Sequence, residues 1–171
     1  MNPKYPNNIP PLIFDDFKFI TDASLGRLSK WLRLLGYDTV VFPNQAGREM
    51  LRLAAAEDRI VLTRRKDMTE RQFSGLLFLI TGVDIASQIN DVIAKYSLKI
   101  NQQKMFGICL ECNEKLYPVA REDVRDLVPL FVFENCTQYN QCLRCHNIYW
   151  AGTHQRNAME FMEKHILRHL P

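Results

Sequence analysis

The sequence predicts an α/β chain: a parallel sheet with helices on both faces, followed by a small unit organised by four cysteines. Three observations carry this. Short apolar runs rich in β-formers alternate with helically spaced segments from Phe17 to Tyr96, a polar aperiodic stretch follows from Ser97 to Lys104, and two Cys-x-x-Cys pairs come after it. Of the 171 residues, 47% are hydrophobic, enough for one domain of ordinary size plus an appendage. Alternation of strands and helices argues for parallel pairing, and strands that are apolar throughout fit burial on both faces.

In chain order, the first dozen residues are rich in Pro and Asn and read as an extended arm, placed at residues 1–14. Phe17 to Thr21 reads as a strand. Leu25, Leu28, Leu32 and Leu35 then recur at helical spacing, with Ser24 expected as N-cap and Gly36 as the residue that ends the helix. Thr39 to Phe42 reads as a second strand, Glu49 to Glu57 as a helix, and Arg59 to Thr63 as a third strand. A short helix over Met68 to Phe73, a strand over Leu76 to Ile80 and a helix over Asp84 to Tyr96 complete an α/β domain at residues 15–98. The second unit spans residues 105–171. Within it, Lys115 to Val119 reads as a strand, Arg121 to Val128 as a short helix, Leu130 to Phe133 as a strand returning to the cysteines, and Thr153 to Leu170 as a terminal helix capped by its threonine.

Cys109, Cys112, Cys142 and Cys145 supply the four thiolates of a tetrahedral structural Zn²⁺, each knuckle aiming two sulfurs at one ion. This reads as a zinc ribbon. The 29 residues between the knuckles exceed the common spacing of roughly 15 to 20, so the insert is expected to be folded. No apolar signal core follows a basic start, which favours a reducing, cytoplasmic setting and thiolate ligands over disulfides. Cys136 lacks a partner at knuckle spacing and reads as a free thiol. With four thiolates the metal has no open position, so its role is structural.

Open parallel sheets bind ligands beyond the carboxyl ends of their strands. Asp22 ends the first strand, Glu49 opens the helix after the second, and Thr63, Arg64, Arg65, Lys66 and Asp67 follow the third. Asp22, Glu49 and Asp67, with Thr63 beside them, form a candidate catalytic set able to hold Mg²⁺ or Mn²⁺ through oxygen ligands. Each acid also has a structural reading: Asp22 as a turn residue, Glu49 on its helix dipole, Asp67 as a cap. Asp22 stands out, because a carboxylate between an apolar strand and a helix start is expected to be partly buried, at a cost unless compensated.

The formal net charge of +3 is too small to imply a polyanionic partner by itself, and no stretch is long and apolar enough to span a bilayer. The placement of charge says more. Arg27, Lys30 and Arg33 recur every three residues along the first helix near Asp22, and Arg64, Arg65 and Lys66 add charge at the same edge; a phosphate-binding surface and a solvated face both account for them. Tyr149 and Trp150 suit either stacking on unpaired bases, with His154 and Arg156 toward phosphate, or packing of the ribbon on the main domain.

Four blocks in order, Asp22 to Asp38, Arg59 to Arg64, the two knuckles, and Ile148 to His154, resemble one family. It is the PIN-like ribonuclease domain joined to a C-terminal zinc ribbon, the Mut-seven C-terminal RNase domain family. The resemblance implies a three-layer α/β/α PIN-like fold and metal-dependent hydrolysis of RNA phosphodiesters, with single-stranded RNA as partner. Clustered acids in that mechanism hold a divalent metal that activates water and stabilises the leaving oxygen. Two departures matter. Where the family usually has Leu-Thr-Arg-Asp, this chain has Leu62-Thr63-Arg64-Arg65, and the usual acid before the second helix is Gly47, with Glu49 two residues later. A guanidinium at Arg65 repels a metal ion or contacts phosphate. A ribonuclease with a degraded site and a non-catalytic RNA-binding or ribosome-associated zinc-ribbon protein are both consistent with that exchange.

Overall fold

The structure, a computed structural model, describes residues 17–167. The arm expected at residues 1–14 and the end of the terminal helix at Leu170 lie outside the described residues. Strands β1 (Phe19–Thr21), β2 (Thr39–Val41), β3 (Ile60–Thr63) and β4 (Leu77–Leu79) form a wholly parallel sheet in the order β2-β1-β3-β4. Their crossovers carry α1 (Gly26–Leu34), α2 (Arg48–Ala56) and the one-turn α3 (Lys66–Thr69), and α4 (Ile85–Tyr96) follows β4. The α/β class is as predicted.

The pleat explains the three layers. Successive strand side chains point to opposite faces. In β1, Phe19 enters a core formed with Leu28 and Leu32 of α1 and Ile89 and Val92 of α4, whereas Ile20 enters a separate core with Met50, Leu51 and Ala54 of α2 and Met68 of α3. In β3, Ile60 and Leu62 join the first cluster and Val61 the second. Every residue of β1 and β3 is buried, because these are the central strands.

Several local expectations are corrected. Ser24 is not a cap: Asp22 takes that place, accepting from the Ser24 amide, and a 3-10 turn (Ala23–Leu25) intervenes before α1 starts at Gly26. Gly36 does end the helix, at φ +91°, a conformation that suits glycine, and a Cβ there would lie 2.7 Å from the Lys104 carbonyl oxygen. The short helix lies at Lys66–Thr69, not over Met68 to Phe73. The strand expected over Leu130 to Phe133 is helix α5 (Leu130–Asn135). Alternation would bury Phe131 and Phe133 together, yet Phe131 is 73% exposed and Phe133 8%; two residues apart on a helix they face different directions. Phe133 packs with Val124, Val128 and Tyr139, beneath the guanidinium groups of Arg121 and Arg125 at 4.3 and 4.8 Å from the ring centroid. The helix expected over Arg121 to Val128 is a 3-10 turn, Arg121–Val124.

The second sheet is antiparallel: β5 (Leu116–Val119), β6 (Tyr139–Cys142) and β7 (Ile148–Trp150), in the order β5-β6-β7. The strand that returns to the cysteines is therefore β6. Helix α6 (Thr153–His165) has Gly152, not Thr153, at its N-cap. It lies on the main domain: Met162 and Ile166 are fully buried in the core of α1 and α4, and Phe161 stacks on Trp31 with centroids 4.8 Å apart. The polar stretch between the units is likewise docked, with Leu98 and Met105 buried and the Phe106 amide donating to the Leu34 carbonyl at 2.9 Å.

Candidate active site and metal centre

Parallel register brings the carboxyl ends of the strands to one edge, and Asp22 sits there, 4% exposed. Four donors converge on its carboxylate. Oδ1 accepts from the Ser24 amide at 2.9 Å and from the Ser24 hydroxyl, while Oδ2 accepts from the Thr63 hydroxyl at 2.6 Å and the Arg64 amide at 3.3 Å. A buried carboxylate needs this compensation. Thr63 is fully buried at the end of β3 and serves twice, because its Oγ1 also accepts from the Arg65 amide at 3.1 Å. The two central strands thus meet through one carboxylate and one hydroxyl.

The other expected acids are placed differently. Asp67, exposed on α3, is held by both arms of the Arg65 fork, Nε to Oδ1 at 2.9 Å and Nη2 to Oδ2 at 3.0 Å, and by Arg71 at 3.2 Å. The Arg65 hydrogen bond is the main reason its carboxyl titrates below the ordinary aspartate value, and Arg71 adds to it. Glu49 is exposed in the first turn of α2. Among the described residues, only the four cysteines form a group of three or more acidic, His or Cys side chains close enough to share an ion. Asp22, Glu49 and Asp67 are therefore not gathered into one centre.

That cysteine group is compact: all four sulfurs lie within 4.8 Å of one another, and Cys109 Sγ is 3.6 Å from Cys145 Sγ. Sulfurs on a tetrahedral zinc with Zn–S of about 2.3 Å are separated by roughly 3.8 Å, so the spacing fits the ion. The knuckles repeat one geometry. The Asn113 amide donates to the Cys109 carbonyl and the His146 amide to the Cys142 carbonyl, and Asn113 and His146 both adopt left-handed φ, 63° and 61°. Burial pushes the Cys109 thiol up, but hydrogen bonds from the Tyr149 hydroxyl and the Cys112 and Glu111 amides outweigh it and bring the thiol down to about 7. The hydrogen bond with Cys145, together with burial and the nearby Cys109 charge, pushes Cys112 up to about 12. Thiols this close cannot all ionise without a cation between them. Cys136 stands outside the group and no disulfide is formed among the described residues.

The basic stripe on α1 divides. Arg33 is 5% exposed and structural: Nε donates to the Thr39 carbonyl at 2.8 Å and Nη1 to the carbonyls of Leu110 and Glu111, inside the first knuckle. Burial lowers its pKa, and the neighbouring Cys109 and Glu111 offset this in part. Lys30 pairs with Glu111 at 2.5 Å. Arg27 and Arg64 are exposed, Arg27 on α1 and Arg64 beside the Asp22 edge. Asn113 completes the joint: its Oδ1 accepts from the Thr39 amide at 2.8 Å and its Nδ2 donates to Asp38 at 2.5 Å, where Arg59 also binds. Tyr149 packs toward the metal centre, its hydroxyl 3.2 Å from Cys109 Sγ and accepting from the Leu110 amide at 3.3 Å. His154 is exposed in the first turn of α6, away from the sulfurs.

The model of the Mut7-C RNAse domain family matches residues 17–162. The chain belongs to the Mut7-C RNAse domain family. That match runs from β1 through both knuckles into α6, so the parallel sheet and the ribbon are parts of one family unit. Comparison with curated proteins and with solved structures returned no match. Among the described residues no helix is long and apolar enough to cross a membrane. Sequence reasoning missed the structural roles of Arg33 and Asn113 in this Mut7-C chain. Asn113, directly after a knuckle, carried a usable signal, since asparagine tolerates left-handed φ; Arg33 carried none, its knuckle partners, the Leu110 and Glu111 carbonyls, lying more than seventy residues away.

Proposed function

We propose that the chain acts on RNA as a PIN-type ribonuclease, hydrolysing phosphodiesters of single-stranded RNA with Mg²⁺ or Mn²⁺, and that Asp22 is the carboxylate on which its chemistry rests. The observation that carries this reading is the burial of Asp22 at the carboxyl edge of the sheet under four hydrogen bonds. Capping of the 3-10 turn uses Oδ1 alone; the turn does not require the second oxygen, which is bonded to Thr63 and to the Arg64 amide at the end of β3. Membership of an RNAse domain family supports the substrate class and a nuclease-like activity.

The donor set fits such an ion only in part. Asp22 offers oxygen ligands at the right edge, and a hard divalent ion is commonly held through one or two carboxylates plus water and substrate phosphate. Asp67 is engaged by two guanidinium groups. Bound there, the ion would activate water and neutralise charge on phosphate. This chain's own residues do the rest: the Thr63 hydroxyl and the Ser24 and Arg64 amides hold the Asp22 carboxylate in one orientation, while the exposed Arg64 presents positive charge to a phosphate.

The fork of Arg65 on Asp67 favours a second reading, an RNA-binding protein that does not cut. Incubating the full chain with single-stranded RNA, with Mn²⁺ or with a chelator, separates the two. Cleavage with Mn²⁺ alone is expected. Salt-sensitive binding with no cleavage under any metal selects the second reading, and absence of both defeats each of them.

A further inference from the structure

Where the ribbon meets the main domain, a cavity of about 280 Å³ is walled by Leu34 from α1, Phe106, Tyr149 and Trp150, with His154 and Gln155 from the first turn of α6. Its lining is almost entirely apolar and its walls come from both units. We propose that this cavity receives one unpaired base of an RNA strand, stacked against Trp150 and Phe106, with His154 and Gln155 meeting the polar edge of the base. The proposal rests on the RNA reading above and adds a subsite distinct from Asp22.

Four features point to a flat aromatic guest. First, among the described residues none of Phe106, Tyr149 or Trp150 stacks on another ring, whereas Trp31, Phe19 and Phe78 all do. These rings line a partly exposed cavity, Phe106 backed by the main core and Trp150 by the ribbon's own core, and fixed aromatic walls of this kind are what base recognition uses. Second, Phe106 adopts φ +60°, an uncommon and strained state for a bulky residue, and its amide is tied to the Leu34 carbonyl; such strain gathers where ligands are clamped. Third, a Cβ on Gly152 would lie 2.8 Å from Trp150 Nε1, so glycine there leaves the indole its position. Fourth, the Tyr149 hydroxyl is anchored to Cys109 and Leu110, which makes its ring a fixed wall and ties the cavity's shape to the metal centre. The volume suits a single base and not a paired duplex, and the exposed Arg156 next to Gln155 supplies charge for the adjoining phosphate.

The test uses the full zinc-loaded chain without Mn²⁺, so that nothing is cut. Affinity is compared for a short single-stranded RNA and for a ribose-phosphate strand of the same length lacking bases, with tryptophan emission recorded. Intact RNA is expected to bind about tenfold more tightly than the abasic strand and to quench an emission component that Trp150→Phe removes. His154→Ala and Trp150→Ala should each lower RNA affinity by several-fold to tenfold at unchanged zinc content, and His154, being exposed, can be replaced without disturbing the fold. Equal binding of the two strands, or RNA affinity untouched in both variants, overturns the proposal, as does displacement of RNA by an aliphatic peptide that itself quenches Trp150. Base-independent binding with cleavage intact would sink this cavity alone, while base-dependent binding without cleavage would sink the ribonuclease reading alone.

Discussion

The four cysteines and the three carboxylates pose one problem, the gathering of negative ligands, and solve it to different extents. At the ribbon, each pair of sulfurs is fixed by its own tight turn, so two short loops need only face each other to bring four ligands within 4.8 Å. At the sheet edge, each acid arrives on a different crossover, and one Arg65 at a neighbouring position suffices to draw Asp67 into a salt bridge. Local geometry makes the first site robust; the second depends on every loop. The joint between them, Arg33 and Asn113, belongs to neither site and holds the knuckle against β2.

The sharpest way to break the comparison is at the sulfurs. Cys142→Ser should abolish stoichiometric zinc and unfold the ribbon, since zinc contributes ~10–16 kcal/mol to such small units; metal analysis with circular dichroism checks this. The loss should reach α1 through Arg33. Arg33→Met, which takes the donor from the buried Thr39 carbonyl and from the part-buried carbonyls of Leu110 and Glu111, is expected to cost about 2–3 kcal/mol in denaturant unfolding while zinc content stays whole. A smaller effect belongs to Asp38. Burial pushes its carboxyl up, but hydrogen bonds from Arg59 and Asn113 more than offset this and hold it below the ordinary value. A depressed carboxyl contributes stability above its unfolded pKa that is lost as pH falls through the folded one. Wild type should therefore lose stability below about pH 4 more steeply than Asn113→Ala, as read from melting temperature against pH. The smallest structural effect is at Arg65. Because the pair with Asp67 is exposed, Arg65→Ala should leave the melting temperature unchanged yet release Asp67 from its bidentate partner, with only Arg71 still bound, and so lower the Mn²⁺ concentration that half-saturates RNA cleavage.

The sheet was legible because apolar runs and helical spacing are local properties. Gly36 was readable for the same reason: a chain reversal after a leucine-rich helix suits a residue free to take positive φ. The gathering of the four cysteines was legible because spacing alone nearly determines their geometry. Phe131 and Phe133 misled, since four apolar residues after Pro129 satisfy strand and helix alike, and only packing of Phe133 under Arg121 and Arg125 decides. Arg33 misled because helical spacing shows which residues share a face but not that a distant knuckle covers that face. Asp22 was anticipated as partly buried and is 4% exposed, yet its pairing with Thr63, 2.6 Å apart across two strands, required the register of the sheet. How far Asp67 and Glu49 stand from serving with it depended on side-chain partners that no local pattern encodes.

The most direct measurement is the rate of single-stranded RNA cleavage in Mn²⁺ by the wild-type chain and by Asp22→Asn, with zinc content and melting temperature confirming that both are folded. Thr63→Val serves as an intermediate, since it removes one of the four hydrogen bonds to Asp22 and keeps the charge. The account predicts cleavage by wild type, weaker cleavage by Thr63→Val and none above background by Asp22→Asn. Cleavage undiminished in folded Asp22→Asn would contradict it.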